Sequence, residues 1–278
     1  MYYENEKGKV YYEVHGEKDN APVVLFSHGI CMDHQTFVAQ IDALKDRFKV
    51  IVWDMPYHGN SSPIDYKAPF TLTAADFIVE LLDHTGTDSA ILVGQSLGSF
   101  VTQQVVHKYP DRVMATVHIG GGSMYPGFTP LLKLFNPLIS LFISLYPEKS
   151  VFKAFASHRA LKPETRAYME EVSARTGKKV LSHVTQELLR DMVKGIPQPS
   201  TEPMLLLHGD NEASFVKKLL RDMKKNNPNS QLEVVNDAHH IANQDNPEEL
   251  NRMLLSFLDN LLANSQGLNL RGGKNGLL

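Results

Sequence analysis

The 278-residue sequence contains a single cysteine, Cys31, so an internal disulfide is impossible and the fold does not depend on an oxidising compartment. An excess of charge of one sign is also lacking, because 28 Lys and Arg are balanced by 31 Asp and Glu. Nucleic acids and anionic membranes select clustered basic residues, so we expect neither as a partner. A small-molecule substrate remains the expected ligand, and the sequence leaves the oligomeric state open.

Long uninterrupted apolar runs are missing as well. The most apolar stretch, 128–147, is broken by residues that include Lys133, Asn136 and Pro137, so we expect no stable membrane insertion. The first residues show no basic start followed by an apolar run, which argues against a signal peptide. The cytoplasm is therefore the expected location.

Short apolar runs rich in β-branched residues alternate with longer helical patterns. This alternation predicts an α/β fold with a mostly parallel central sheet and helices on both faces. The predicted strands are 9–15, 23–27, 50–54, 90–94, 113–119, 203–208 and 231–235. The predicted helices are 35–45, 73–84, 97–108 and 247–262.

The alternation of strand and helix patterns is interrupted in the middle of the chain. Residues 123–200 show apolar and mixed helical patterns punctuated by prolines, which predicts a helical lid inserted into a core formed by 1–122 and 201–265. The Gly-rich range 266–278 lacks a core pattern, and we expect it to be a loose tail.

A motif that carries chemistry follows the predicted strand 90–94. The segment reads Gly94-Gln95-Ser96-Leu97-Gly98 and leads directly into a predicted helix. A G-x-S-x-G sequence alone could be an ordinary tight turn. Between a strand and a helix it is typical of a strained turn that exposes a nucleophilic serine, with small residues needed on either side. We therefore predict Ser96 as a nucleophile.

With these residues the sequence resembles the α/β-hydrolase family. Ser27-His28-Gly29-Ile30 is similar to the HG-x segment of that family. The resemblance implies that the backbone N–H groups of Ile30 and Leu97 form an oxyanion hole, and that His28 is a structural turn residue.

A second turn resembles the family pattern D-x-x-G-H-G-x-S. It runs from Asp54 to Ser61, with Tyr57 at the position where glycine is commonest. In the family this turn shapes a loop, so neither Asp54 nor His58 is assigned a catalytic role.

The general base and its acidic partner are predicted late in the chain. His240 aligns with the catalytic histidine of the family's G-H-x segment, with His239 in place of the glycine and as the alternative base. The G-x-x-D segment of the family corresponds to 209–212, which places Glu212 as the triad acid and leaves Asp210 as the alternative. The order Ser96, Glu212, His240 agrees with that of the family.

The apolar insertion suggests a pocket for a neutral, moderately hydrophobic substrate. Its predicted lining residues are Cys31, Phe128, Leu131 and Phe135. Cys31 lacks a strand–turn–helix context, so we interpret it as a small lining residue and not as a nucleophile. Four basic residues of the insertion could bind a substrate carboxylate, although such residues are more often solvated helix charges: His158, Arg159, Arg166 and Arg175.

Taken with the resemblance, these residues predict an enzyme, a serine hydrolase that cleaves a carboxylic ester or lactone through an acyl-enzyme. Neither a cofactor nor a metal is expected, since the zinc-binding patterns His-Glu-x-x-His and Cys-x-x-Cys do not occur. Two alternatives stay open. One is hydrolysis of a carbon–carbon bond in a diketone-type substrate, and the other is a non-catalytic ligand receptor on the same fold.

Overall fold

The computed structural model describes residues 1–16, 18, 21–64, 69–128, 141 and 143–272. Among these residues, eight strands form one sheet. They are β1 (Tyr2–Asn5), β2 (Gly8–His15), β3 (Val23–Ser27), β4 (Lys49–Trp53), β5 (Ala90–Gln95), β6 (Val113–Ile119), β7 (Met204–Gly209) and β8 (Ser230–Val235). Their order across the sheet is β1-β2-β4-β3-β5-β6-β7-β8.

Helices connect the strands and flank the sheet. In chain order they are α1 (Val38–Leu44), α2 (Phe70–His84), α3 (Leu97–Lys108), α4 (Glu148–Ser157), α5 (Pro163–Thr176), α6 (Lys178–Lys194), α7 (Ser214–Asn226), the short α8 (Ala242–Asp245) and α9 (Pro247–Gly272). Within the part of the chain that the structure describes, no helix is long and apolar enough to cross a membrane.

The core occupies both faces of the sheet. In β3, Val24 and Phe26 belong to a cluster with residues of α1 and α9, whereas Leu25 between them belongs to a cluster with residues of α2 and α3. Successive side chains of a strand point to opposite faces, so a strand covered by helices on both sides needs a continuous apolar run. The structure therefore confirms the α/β class with helices on both faces of the sheet.

The strand order reverses beside β3. The chain passes from β3 to β4 on one side and then returns to place β5 on the other side, and both neighbours are parallel to β3. All pairs from β5 to β8 are also parallel, whereas β1 and β2 form an antiparallel edge. In open α/β sheets, ligands bind in the crevice beyond the carboxyl ends of the strands where the order reverses.

Between β6 and β7 the described residues contain α4, α5 and α6 and no strand. These helices cover the loop that follows β3, where Met32 packs against Ala156, Ala160 and Met169. Helix α6 is also fixed to the start of α2, because Asp191 Oδ2 accepts hydrogen bonds from the backbone N–H and the hydroxyl of Thr71 at 2.9 and 2.7 Å. The insertion is thus anchored on the sheet domain at two places.

Some elements differ from the sequence-based expectations. Strand β1 and helix α7 are absent from the predicted elements, although α7 buries Val216, Leu220 and Met223 at helical spacing. Helix α9 extends to Gly272, beyond the expected end at 262 and into the range expected to be a tail. No proline follows Pro247 in the sequence, so nothing forces the helix to end at 262.

Candidate active site

Ser96 occupies the single residue between β5, which ends at Gln95, and α3, which begins at Leu97. Its backbone has φ 50° and ψ −109°, a conformation that is costly for a residue with a side chain. The Ser96 N–H donates to the carbonyl oxygen of Ile119 at 2.8 Å, which anchors the turn to β6. The sequence pattern and the observed backbone agree on a sharp, strained strand-to-helix turn.

The glycines around Ser96 allow the backbone to approach neighbouring segments closely. A Cβ on Gly98 would lie 2.0 Å from the carbonyl oxygen of Ser27, and a Cβ on Gly94 would lie 2.4 Å from the carbonyl oxygen of Gly98. Both distances are far below van der Waals contact. The two small residues of the motif are therefore required by packing of α3 against β3 and β5.

This contact predicts a large effect of Gly98→Ala on stability. Forcing a methyl group against rigid backbone should cost about 3 kcal/mol, which in a chain of this size lowers Tm by about 6–12 °C. Gly86→Ala is the comparison variant, because a Cβ added there would meet nothing within 4 Å. Only the strain of its positive φ, 62°, should lower its stability, by about 1 kcal/mol. Thermal unfolding of both variants tests the contact, and an unchanged Tm for Gly98→Ala would contradict it.

His240 lies between Ser96 and Glu212. Its Nε2 is 2.9 Å from Ser96 Oγ, and its Nδ1 is 2.7 Å from Glu212 Oε2. A carboxylate only accepts hydrogen bonds, so Nδ1 carries the ring hydrogen and Nε2 accepts from the serine hydroxyl. The imidazole is therefore in the tautomer that can remove the Ser96 proton.

The loop that carries His240 is held by its own side chains. Asp245 Oδ2 accepts from the His239 N–H at 2.9 Å, and His239 Nδ1 accepts from the His240 N–H at 2.8 Å. Burial lowers the pKa of His239, which favours the neutral ring that can accept this bond. Of the two adjacent histidines, the structure places His240 next to Ser96 and uses His239 inside the loop.

Glu212 lies in the loop between β7 and α7 and is buried. Its Oε1 accepts from the Ala213 N–H at 2.8 Å, while Oε2 faces His240. Burial alone would raise the pKa of Glu212, but the charge and hydrogen bond of His240, together with the Ala213 N–H, bring it below the usual range. The side chain is therefore an ionised acceptor at neutral pH.

Asp210, the alternative acid, has a different environment. Its Oδ1 accepts from the Ala238 N–H at 3.1 Å and from the Asn211 side-chain amide at 2.7 Å, and the residue is exposed. These contacts tie the loop after β7 to the loop after β8. The structure thus brings Glu212 and not Asp210 into contact with the histidine.

The two expected oxyanion donors are a neighbour of Ser96 in the cavity and its neighbour in the chain. Ile30 follows β3 and lines the cavity over Ser96, and Leu97 is the first residue of α3. Among the described residues no group accepts a hydrogen bond from the N–H of Ile30 or of Leu97. Both N–H groups can therefore serve a ligand oxygen.

Buried His28 links the loop after β3 to the turn after β4. His28 is fully buried, its Nδ1 donates to the carbonyl oxygen of Gly29 and its Nε2 accepts from the Met55 N–H. Burial lowers the pKa of His28 to about 4, so its ring stays neutral.

In the 54–61 turn, Tyr57 has φ 70°, which explains why glycine is common at this position in the family pattern that the turn resembles. Asp54 accepts from His34 and from the Asn60 N–H, away from Ser96.

A narrow cavity opens over Ser96 and encloses about 170 Å³ of empty space, part of it open to solvent. Its walls come from the strand ends, the His240 loop and helices α4 and α5. The lining residues are Gly29, Ile30, Met32, Gln95, Ser96, Phe155, Arg159, Met169, His240 and Ile241. Of the lining residues contributed by the insertion, the sequence predicted Arg159 as a candidate but not Phe155 or Met169. Phe155 and Arg159 are four residues apart, and this helical spacing was a signal that could have linked them.

Two predicted pocket residues lie elsewhere. Cys31 is fully buried with Ile143, Val151, Phe152 and Leu181, and burial raises the pKa of its thiol to about 12. Phe128 lines a separate cavity against α7, and its N–H donates to the carbonyl oxygen of Met192 in α6. The other two, Leu131 and Phe135, fall outside the described residues.

No cluster of three or more His, Cys, Asp or Glu side chains that could hold a metal ion occurs in the described ranges. The groups that meet at Ser96 are a hydroxyl, an imidazole, a carboxylate and backbone N–H groups. This set is suited to nucleophilic attack on a carbonyl carbon with proton transfer through the imidazole.

Comparison with known proteins agrees with the observed fold. A family model described as the alpha/beta hydrolase fold matches residues 22–139. A 2-(acetamidomethylene)succinate hydrolase from Mesorhizobium japonicum is 26% identical over 87% of this chain and 90% of its own length. Haloalkane dehalogenase 2 from Mycobacterium tuberculosis is 25% identical over 90% of this chain and 91% of its own length.

A solved structure extends the agreement to the whole fold. The thermophilic esterase from Thermogutta terrifontis, with malate bound, superimposes with a TM-score of 0.82 at 21% identity. The superposition covers 94% of this chain and 99% of the esterase. The chain has the α/β-hydrolase fold and is similar to hydrolytic enzymes of that fold over most of its length.

Proposed function

We propose that this hydrolase cleaves a carboxylic ester or lactone through an acyl-enzyme. The observation that carries the proposal is the continuous hydrogen-bonded series from Ser96 Oγ through His240 to Glu212, with distances of 2.9 and 2.7 Å. This series supports roles for Ser96 as nucleophile, His240 as general base and Glu212 as the group that orients the imidazole.

The reaction begins with attack of Ser96 Oγ on the substrate carbonyl carbon, while the hydroxyl proton moves to His240 Nε2. The carbonyl oxygen then carries a negative charge, which the N–H groups of Ile30 and Leu97 stabilise. His240 donates its proton to the leaving alkoxide, which departs as an alcohol or, for a lactone, remains attached to the acyl group. A water molecule activated by His240 then releases the acid from Ser96.

Helices α4, α5 and α6 act in this proposal as a lid over the site. Phe155 and Met169 from the first two of these helices, with Ile30 and Ile241, give the cavity an apolar wall. This wall would contact the carbon skeleton of the substrate beside its reactive carbonyl.

The relatives contain other reaction classes, and the residue at position 96 helps to separate them. Haloalkane dehalogenases use an aspartate nucleophile in the resembling turn, whereas this chain has Ser96. Serine is the nucleophile that esterases and lactonases of this fold require. We therefore do not propose dehalogenation for this chain.

A panel of three substrate classes tests the proposed reaction. Short p-nitrophenyl esters, a simple γ-lactone and a diketone of the ring-fission type would be incubated with the full chain, and the products identified by mass spectrometry. We expect acid and alcohol, or the hydroxy acid, from the first two classes. Cleavage of the diketone alone would instead support carbon–carbon bond hydrolysis.

A further inference from the structure

Arg159 lies at the mouth of the catalytic cavity, just after the end of α4. Its half-buried side chain lines the same cavity as Ser96, His240 and Ile30. Its backbone carbonyl oxygen accepts from the Ile241 N–H at 3.1 Å, which fixes the residue to the loop that carries His240. The guanidinium group is therefore held close to the position where a substrate must bind.

Arg159 has no carboxylate partner among the described residues. Other arginines do, since Arg175 is 3.1 Å from Asp33 and Arg112 is 2.7 Å from Asp83. The guanidinium of Arg159 stacks on Phe155 at 4.0 Å, and its Nη1 donates one long hydrogen bond of 3.4 Å to the Phe155 carbonyl oxygen. Stacking uses a face of the group and leaves most of its five N–H donors available.

Neither Glu212 nor the undescribed part of the insertion supplies a carboxylate partner for Arg159. Glu212 acts on Arg159 through its charge, but among the described residues its ion pair is with His240 and none joins it to Arg159. The part of the insertion that the structure leaves undescribed, 129–140 and 142, contains no Asp or Glu in its sequence. The insertion therefore offers no further carboxylate there.

Holding an unpaired cation in this position has a cost. Burial lowers the pKa of the Arg159 guanidinium from its ordinary value, and the charge of Glu212 opposes this shift without cancelling it. A partly buried charge gains from a charged hydrogen-bond partner, and a planar guanidinium matches a carboxylate through two parallel hydrogen bonds. An anionic ligand group in the cavity would supply the missing partner.

We infer that Arg159 binds a carboxylate of the substrate, so that the ester or lactone hydrolysed at Ser96 carries a carboxylate group besides its reactive carbonyl. This inference rests on the proposed function, because it names the substrate class of the same site. It also revises the expectation of a neutral substrate: the apolar wall contacts the carbon skeleton while Arg159 selects its charged end.

Matched substrates test the inference. The p-nitrophenyl monoester of glutaric acid carries a carboxylate on its acyl group, and the same compound capped as a methyl ester does not. For the wild type we expect kcat/KM to be at least about 10-fold higher for the anionic ester, as befits a hydrogen bond to a charged group. In Arg159→Met this ratio should fall about 10- to 100-fold, mainly through KM, and Arg159→Lys should restore part of it.

Arg252→Gln is the control, because it removes the same charge from the exposed surface of α9 and should leave the ratio unchanged. Calorimetric binding of glutarate to the wild type and to Arg159→Met adds a readout that does not need turnover. We expect Arg159→Met to weaken binding at least about 10-fold.

The outcomes separate the two proposals. Ser96-dependent hydrolysis of both esters with no preference for the anionic one would overturn the carboxylate inference and leave the proposed function intact. An equal loss of kcat for both esters in Arg159→Met would also overturn it, and would indicate that Arg159 positions the His240 loop. Arg159-dependent glutarate binding without hydrolysis of either ester would support the carboxylate site and contradict the proposed function.

Discussion

Replacing Ser96 with alanine is expected to lower kcat by about 10⁴- to 10⁶-fold, because the variant loses the only nucleophile that is hydrogen-bonded to His240 in the proposed mechanism. Residues of a catalytic unit are not additive. His240→Ala should therefore have a loss of similar size, and the double variant should lose little more than either single variant. Steady-state hydrolysis of a short p-nitrophenyl ester measures all three.

Ser157→Ala is the matched control for this prediction. Ser157 is exposed at the end of α4, and its one hydroxyl hydrogen bond among the described residues is donated to the carbonyl oxygen of Ala154. Its removal should leave kcat within a few-fold of the wild type, since surface substitutions change little. If Ser96→Ala hydrolyses the ester as fast as Ser157→Ala does, the assignment of the nucleophile fails.

Glu212→Gln is expected to lower kcat by about 10⁴-fold while the protein remains folded. The glutamine can donate its side-chain amide to His240 Nδ1, which favours the tautomer with hydrogen on Nε2. That tautomer cannot accept the Ser96 proton, and the substituted side chain no longer stabilises a protonated imidazole. The loss should appear in kcat at neutral pH for every ester tested.

Asp210→Asn provides the comparison for Glu212→Gln. The asparagine keeps an oxygen that can accept from the Ala238 N–H, and Asp210 is exposed. We expect kcat within a few-fold of the wild type. A larger loss in Asp210→Asn than in Glu212→Gln would reverse the assignment of the acid.

The sequence predicts the interior of the fold better than its edges. Strands 23–27 and 113–119 and helix 97–108 have the predicted bounds, because their patterns reflect burial on the sheet. Strand β1 is short, half-exposed and at the edge of the sheet beside β2, so its pattern carries little signal. Helix α7 is different, because the spacing of Val216, Leu220 and Met223 is a helical signal that the sequence does contain.

The sequence also predicts some residues of the candidate site better than others. The positions of Ser96 and His240 follow from local motifs, because each is fixed by the turn in which it lies. The choice between Glu212 and Asp210 depends on which of these two side chains, in the loop after β7, reaches His240 in the loop after β8. The two positions are so close in the sequence that the sequence alone does not show which one makes this contact. The environment of Arg159 depends on how the insertion packs over the strand ends, so the sequence shows four candidate basic residues and only the structure distinguishes them.

Covalent trapping identifies the nucleophile, because a reagent that bonds to the reacting oxygen marks its residue. Diethyl p-nitrophenyl phosphate should react once, with formation of a bond between Ser96 Oγ and phosphorus and release of p-nitrophenolate, while the hydroxyl proton passes to His240. Peptide mass spectrometry should then find one diethylphosphoryl group, on Ser96, and Ser96→Ala should remain unlabelled. A label on another residue, or equally fast labelling of Ser96→Ala, would contradict the account.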